Sequence, residues 1–223
     1  MRTPLHTVQM TAAYLGQLNA GSEVSTASGR LIRSGAQLQA LLDDLVDFNR
    51  TNLGLGIKIV RSPGDLAAIC AHQLEQLRVG YPESLLELSV VGDCEGAWDG
   101  KRIQQLLGNL VVNAIYYGEP DGAVRVALLG GETEVRIAVS NSGPAIDTET
   151  LGQIFEPLKR GTPNEQHPGL GLGLYIVREI AKGHAAPSPV LPEWANRFHQ
   201  GSELLSDLLR DEEHSKGLRP SSP

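Results

Sequence analysis

Three short runs combine residue types and spacings that can do chemistry. In Asn109-Leu110-Val111-Val112-Asn113-Ala114 the two asparagines are four apart, so on a helix they share one face while the aliphatic residues take the other. Asparagine is a poor core residue, and a pair on one face suggests a polar wall turned to a ligand. An amide oxygen is a hard neutral donor suited to Mg²⁺. In Val139-Ser140-Asn141-Ser142-Gly143-Pro144-Ala145-Ile146 a strand runs into a Gly-Pro turn. Asn141 is thereby presented at the strand end, where its amide can bond a base edge, and Gly143 leaves room for a flat ring. In Gly169-Leu170-Gly171-Leu172-Gly173-Leu174-Tyr175 the glycines alternate just before an apolar helix, offering unobstructed backbone N–H groups to an anion. Between the last two runs lie Phe155, Lys159 and Arg160, then the polar stretch 161–168, which reads as a lid with cations at its base. Taken singly, each run has an ordinary counterpart: solvated asparagines, a strand-ending turn, a flexible hinge. The glycine run is neither a Walker A loop, since no Lys-Ser/Thr follows, nor GxGxxG.

These residues need a scaffold. Leu5, Val8, Ala12 and Leu15, and then Leu31, Ser34, Leu38, Leu41, Leu45 and Phe48, step by three and four, predicting two helices with heptad stripes. The Gly/Ser/Thr-rich segment 19–29 predicts the turn of a helical hairpin between them. Two narrow apolar stripes cannot bury themselves alone, which predicts a dimer forming a four-helix bundle, with packing on the chain's own remainder as the alternative. A linker follows at 51–56. Beyond it the pattern is mixed: a strand at 57–60, a helix over 63–79, a strand at 86–90 and a short one at 97–98. Asp99 should cap a long helix bearing Ile103, Leu106, Leu107, Leu110, Val111 and Ala114. Strands at 123–129 and 135–139 form a hairpin across Gly130-Gly131, and a last helix covers 172–181. The fold class expected is α+β, a hairpin of residues 1–50 followed by an α/β sandwich of residues 57–184. After His184 come three prolines, a possible helix at 193–209 and a charged, Ser/Pro-rich end, so residues 185–223 read as a divergent, disordered tail.

Composition narrows the function. The chain has 223 residues, 41% hydrophobic and 20% charged, enough to bury a core. Aromatics are 4%, too few for a base-stacking platform. A net charge of -7 argues against a partner nucleic acid, which calls for Lys and Arg to displace counterions. Cys70 and Cys94 lack CxxC spacing and read as free thiols. No run approaches the roughly 18 apolar residues that span a bilayer, and Met1-Arg2-Thr3-Pro4 is not a signal peptide. The reading is cytoplasmic, with membrane association through an upstream segment left open.

In their order and spacing the three runs resemble the nucleotide boxes of the sensor histidine kinases of two-component systems, members of the Bergerat-fold ATPase and kinase superfamily. Asn109 to Tyr117 resembles the N box, Asn141 to Ile146 the G1 box, Ile154-Phe155-Glu156-Pro157 the F box and Gly169 to Gly173 the G2 box, while Arg2-Thr3-Pro4-Leu5 is similar to the end of the phosphoacceptor H box. The resemblance covers roughly residues 1–184. It implies ATP and Mg²⁺ as cofactors, with Asn109 and Asn113 as the catalytic pair, Asn113 coordinating the metal and Asn109 supporting it. It implies that Asn141, Gly143 and Ile146 form the adenine side, Phe155 the hinge of the lid, Lys159 and Arg160 its cations, and Gly169, Gly171, Gly173 and Leu174 the phosphate cradle. The activity implied is transfer of the γ-phosphoryl group to a histidine, for relay to a response regulator, in a homodimer joined through the hairpin.

Several residues depart from the pattern. Asn141 stands where the family usually has Asp; its oxygen still accepts a hydrogen bond, without the charge assistance that roughly doubles such a bond. Tyr116 stands where Lys is frequent. The phosphoacceptor His would precede Met1, and His6 lacks the neighbouring acid, so the chain is expected to be defective in autophosphorylation. The prolines after His184 predict that the closing strands are lost and a sheet edge left unpaired. Two other functions share these residues in part. A hydrolysing ATPase of the gyrase or chaperone type needs a Glu where Asn109 stands. A non-catalytic nucleotide-binding and dimerisation module would use the same residues without phosphotransfer.

Overall fold

The computed structural model describes residues 8, 10–12, 14, 15, 22–143, 153–159 and 170–184, and the backbone of 202–209. The first long element is helix α1 (Ser22–Asn52). Ser, Thr and Ala at 22–29 cost a helix only tenths of a kcal/mol each, so the turn expected at 19–29 is instead helical from Ser22 onward. The helix ends where Gly54 takes φ 73°, with Leu55 N–H bonding Arg50 O at 3.0 Å and Gly54 N–H bonding Thr51 O at 2.9 Å. This six-to-one and five-to-two pair uses up two of the last carbonyls.

The chain next forms β1 (Ser62–Asp65), then α2 (Leu66–Gly80). The strand expected at 57–60 is not formed there. The alternation Ile57-Lys58-Ile59-Val60 suits a strand, but the antiparallel pairing falls five residues later, with Ser62 opposite Trp98 and Asp65 opposite Glu95. Nor does α2 begin at 63: the Asp65 carboxylate accepts from the Ala67 and Ala68 N–H groups and fixes the start at Leu66.

Strands β2 (Leu86–Val91), β3 (Glu95–Trp98), β4 (Val124–Gly130) and β5 (Glu134–Asn141) follow, with α3 (Gly100–Tyr117) between β3 and β4. Asp99 caps α3 through Arg102 N–H, as expected. Its six aliphatic residues named from sequence are all buried. The chain continues through α4 (Gly173–His184) to β6 (Ser202–Leu209). The sheet runs β2-β4-β5-β6, parallel at β2–β4 and antiparallel elsewhere, while β1 and β3 form a separate two-stranded ribbon. The core lies between this sheet and α2, α3 and α4, where Leu74, Leu106, Leu128, Ile137 and Ile176 are fully buried.

Strand β6 corrects two expectations about the tail. Ser202–Leu209 is extended, not helical, and it pairs with β5 over the full register from Glu134↔Leu209 to Asn141↔Ser202. A helix there would leave the outer N–H and C=O groups of β5 without partners. The three prolines precede this strand, so none of them interrupts it.

Candidate functional site

Helix α3 is the spine of the site. Its apolar side enters the core, and its polar side carries Arg102, Gln105, Asn109, Asn113 and Tyr116, all within one face by helical spacing. Asn109 and Asn113 are half-buried. Asn109 Nδ2 donates to the carbonyl of Gly173, the first residue of α4, at 3.2 Å. A Cβ on Gly173 would lie 3.5 Å from Asn109 Cγ. The first asparagine and the glycine run, 64 residues apart in sequence, are therefore in contact.

Gly171 has φ 67°, and a Cβ there would sit 2.8 Å from Lys159 O. Only glycine fits this place without strain. Its carbonyl accepts from Leu158 N–H at 2.9 Å, which ties the segment around Phe155 to the glycine run. Leu158 itself has φ 62°, an uncommon conformation for a leucine. Phe155 is half-buried against the core. Lys159 is engaged within its own turn, donating to Gln153 Oε1 at 2.9 Å and pairing with Glu156 Oε2 at 3.4 Å. Leu174, half-buried, follows Gly173 in the first turn of α4 and packs against the core. Ile146, Arg160 and Gly169 lie outside the described residues, as does His6.

At the other end of α3, Asn141 terminates β5 and is buried, 9% exposed. Gly118 and Gly143 flank its amide: a Cβ on either would fall 3.3 Å and 2.9 Å from Asn141 Nδ2. The strand end and the helix end are joined by Glu119 N–H donating to Ser142 O. Asn141 and Gly143 thus sit beside Tyr117 and Gly118, two turns beyond Asn109. Tyr116 accepts from Gln37 Nε2 at 3.4 Å and stands edge-on to Tyr81, with ring centroids 6.5 Å apart.

A feature without a sequence signature is the contact of α1 with this face. Arg102 binds Asp47 in a two-pronged pair, its Nη2 lying 3.0 Å from Oδ1. Gln105 Nε2 donates to Asp44 Oδ1 at 3.0 Å and to Asp47 Oδ2 at 3.1 Å. The Asn109 amide lies on the same side and favours the charged form of Asp44. Both carboxylates are buried, Asp44 at 6% and Asp47 at 3% exposure. Burial pushes the Asp44 carboxyl up to about 6, the Gln105 and Asn109 amides opposing it. A second attachment is made to α4. Tyr175 meets Phe48 edge-on at 5.7 Å and donates its hydroxyl proton to Thr51 Oγ1 at 2.8 Å. Meanwhile Leu31, Leu38 and Leu45, on the opposite face of α1, are exposed.

The helices are also tied behind the site. Buried His184, at the end of α4, accepts from Asp99 N–H through Nε2 at 3.2 Å, which makes Nδ1 the protonated nitrogen bonding Ile180 O at 3.0 Å. Burial lowers its pKa. Among the described residues no cluster of three His, Cys, Asp or Glu side chains could hold a metal, and no helix is long and apolar enough to cross a membrane.

Helix α3 thus links the glycine run, through Asn109, with the end of β5, through Tyr117 and Gly118, in an α/β sandwich. Residues 98–203 match the family described as "Histidine kinase-, DNA gyrase B-, and HSP90-like ATPase". The match runs past His184, beyond which the sequence pattern predicts a divergent tail. The chain is 27% identical over 186 residues to a bacteriophytochrome of Pseudomonas aeruginosa, covering 82% of this chain and 25% of that protein. It is 30% identical over 149 residues to the signal transduction histidine-protein kinase/phosphatase MprB of Mycobacterium ulcerans, covering 66% and 28%. The chain thus spans about a quarter of the length of these relatives. Its fold is similar to that of full-length ShkA in complex with AMPPNP, with a TM-score of 0.61 at 23% identity, over 94% of this chain and 44% of that one. It is also similar to histidine kinase ThkA in complex with response regulator protein TrrA, with a TM-score of 0.56 at 18% identity, over 95% and 59%. Residues 98–203 thus match a family that includes histidine kinases, and the chain is similar to the catalytic regions of sensor histidine kinases.

Proposed function

We propose that this region binds ATP with Mg²⁺ and transfers the γ-phosphoryl group to a histidine for relay to the receiver domain of a response regulator. The observation that carries the reading is the contact of Asn109 with Gly173, which brings the asparagine face of α3 to the glycine run that starts α4. The donor set suits the cofactors. The Asn113 amide oxygen and the phosphates themselves would hold Mg²⁺, which neutralises charge on the transferring group when bound. The N–H groups of Gly171, Gly173 and Leu174 would receive the phosphates at a helix N-terminus, where bare backbone and dipole favour an anion. Asn109 holds the start of α4 and so positions that cradle. Asn141 would accept from the adenine amino group, with Gly118 and Gly143 leaving room beside it. Catalysis on this scheme is positioning and charge neutralisation rather than covalent chemistry by the protein.

The proposed domain limits are a hairpin over residues 1–50, a linker at 51–56 and an ATP-binding domain from residue 57, to which β6 adds its edge strand beyond 184. The exposed leucines of α1 support a homodimer through the hairpin, since an apolar stripe left in water favours a second copy. In this proposal the ATP-binding region phosphorylates a histidine presented on a helical hairpin.

Incubation with γ-labelled ATP, with and without such a hairpin, tests the reading. Label on the hairpin is expected. Saturable ATP binding with label on neither would favour the non-catalytic module, and release of labelled phosphate without a labelled protein would favour an ATPase.

A further inference from the structure

We propose, resting on the ATP-binding reading above, that Asn141 makes the base slot a general purine slot, which takes a 6-oxopurine triphosphate such as ITP or GTP about as well as ATP. The sheet places this side chain. Along β5, Val135, Ile137, Val139 and Asn141 alternate onto one side, and all four are buried. That side faces the helices, since Val135, Ile137 and Val139 belong to the core. Asn141 is the one polar residue of the row, and its cross-strand neighbour Val124 is buried and apolar. Just past the end of α3 the amide lies against two glycines. A Cβ on Gly118 would fall 3.3 Å from Asn141 Nδ2, and one on Gly143 would fall 2.9 Å from it. Neither residue has a side chain to keep a flat ring away from the amide.

The choice of an amide here decides which bases fit. Adenine offers a donor at its 6-amino group and an acceptor at N1. A 6-oxopurine offers the reverse, an acceptor at O6 and a donor at N1–H. Asparagine carries both a carbonyl oxygen and an NH₂ group of nearly the same shape. With adenine, Oδ1 accepts from the 6-amino group and Nδ2 donates to N1. After a half-turn about the last side-chain bond, Nδ2 donates to O6 and Oδ1 accepts from N1–H. Either base therefore leaves the buried amide with its hydrogen bonds made. An ionised carboxylate in the same place can only accept. It would set an acceptor against O6, and an unpaired buried polar group is what makes a site reject a base.

The test is displacement of methylanthraniloyl-ATP from the full chain, in Mg²⁺, by ATP, ITP, GTP and UTP. ITP isolates the O6 and N1–H edge, because hypoxanthine lacks the 2-amino group of guanine. ITP and GTP should each bind within about tenfold of ATP. UTP, whose smaller ring falls short of Asn141, should bind roughly 100-fold more weakly. Asn141→Asp should raise the preference for ATP over ITP by about 100-fold. That preference is a ratio read within one protein, so a loss of stability in the variant does not imitate it. Either 6-oxopurine binding more than tenfold weaker than ATP to the wild type, or an unchanged ratio in Asn141→Asp, would overturn the purine slot and leave the ATP site standing. Displacement by UTP as strong as by ATP would do the same, by showing that only the phosphates are read. No binding of the analogue by the wild-type chain would overturn the ATP-binding reading and the slot with it.

Discussion

Replacing Asp44 by Asn removes a charge from a buried place without changing its shape. The ordinary value for this carboxyl is 3.8, and burial raises it to about 6 in the folded chain. A raised folded pKa means that the group's contribution to stability is fully present below 3.8 and is lost as the pH rises through about 6. Two units at about 1.4 kcal/mol each amount to about 3 kcal/mol at pH 7.5, an upper bound for holding the ionised form out of water. The Asn side chain keeps an amide oxygen that can still accept from Gln105. Asp44→Asn should therefore be more stable than wild type at pH 7.5, by up to about 3 kcal/mol, and nearly equal to it at pH 4. In a chain of this size each kcal/mol moves Tm by about 2–4 °C. The assay is thermal unfolding of the two proteins at half-unit steps from pH 4 to 8, with the difference in Tm plotted against pH. A gap opening between pH 4 and 7 in favour of Asn is expected. A pH-independent gap, or a less stable variant at pH 7.5, would refute the view of Asp44 as a desolvated acid.

Other consequences can be checked singly. His184 has a lowered folded pKa, so its contribution is present above the unfolded value of 6.5 and falls away as the pH drops through the folded one; an NMR titration should find its ring neutral at pH 6.5, and His184→Ala should lose about 1–3 kcal/mol in urea unfolding through the orphaned Asp99 N–H and the emptied space. Gly171→Ala places a Cβ 2.8 Å from Lys159 O at φ 67°; hydrogen exchange should show residues 153–159 loosened, at a cost of about 1–2 kcal/mol. Gly130→Ala would drive a Cβ to 2.0 Å from Asp93 O, backbone against backbone; circular dichroism melting should show a loss of several degrees in Tm. Asn109→Ala frees the start of α4 from α3 and should weaken ATP binding by about tenfold, the scale of one lost buried hydrogen bond, as read by calorimetry.

The parts of the fold legible in the sequence are those set by local rules. The 3.6-residue spacing of Ile103, Leu106, Leu107, Leu110, Val111 and Ala114 identifies the buried side of α3. Asp99 marks its start, and Gly130-Gly131 marks the β4–β5 connection. What local rules do not decide is pairing. The alternation at 57–60 is as good a strand as Ser62–Asp65, and the choice falls to the register with Glu95–Trp98. Likewise the leucines at 204–205 and 208–209 suit either a helix or a strand until the open edge of β5 selects the latter. In the site, the glycines and asparagines could be placed because their chemistry depends on type and spacing. Lys159, read as a cation for phosphate, is turned to Gln153 and Glu156. Asp44 and Asp47 had no signal at all: acids on a long helix look like a solvated face, and their partner Arg102 is 55 residues away from Asp47.

The proposed Mg-ATP site rests on Asn113 and the glycine run. Isothermal titration of the 223-residue chain with ATP, with and without Mg²⁺, and of Asn113→Ala in parallel, tests it most directly. One saturable site that needs Mg²⁺ and weakens roughly 100-fold in the variant is the predicted result. No binding, or binding of equal strength in Asn113→Ala, would contradict it.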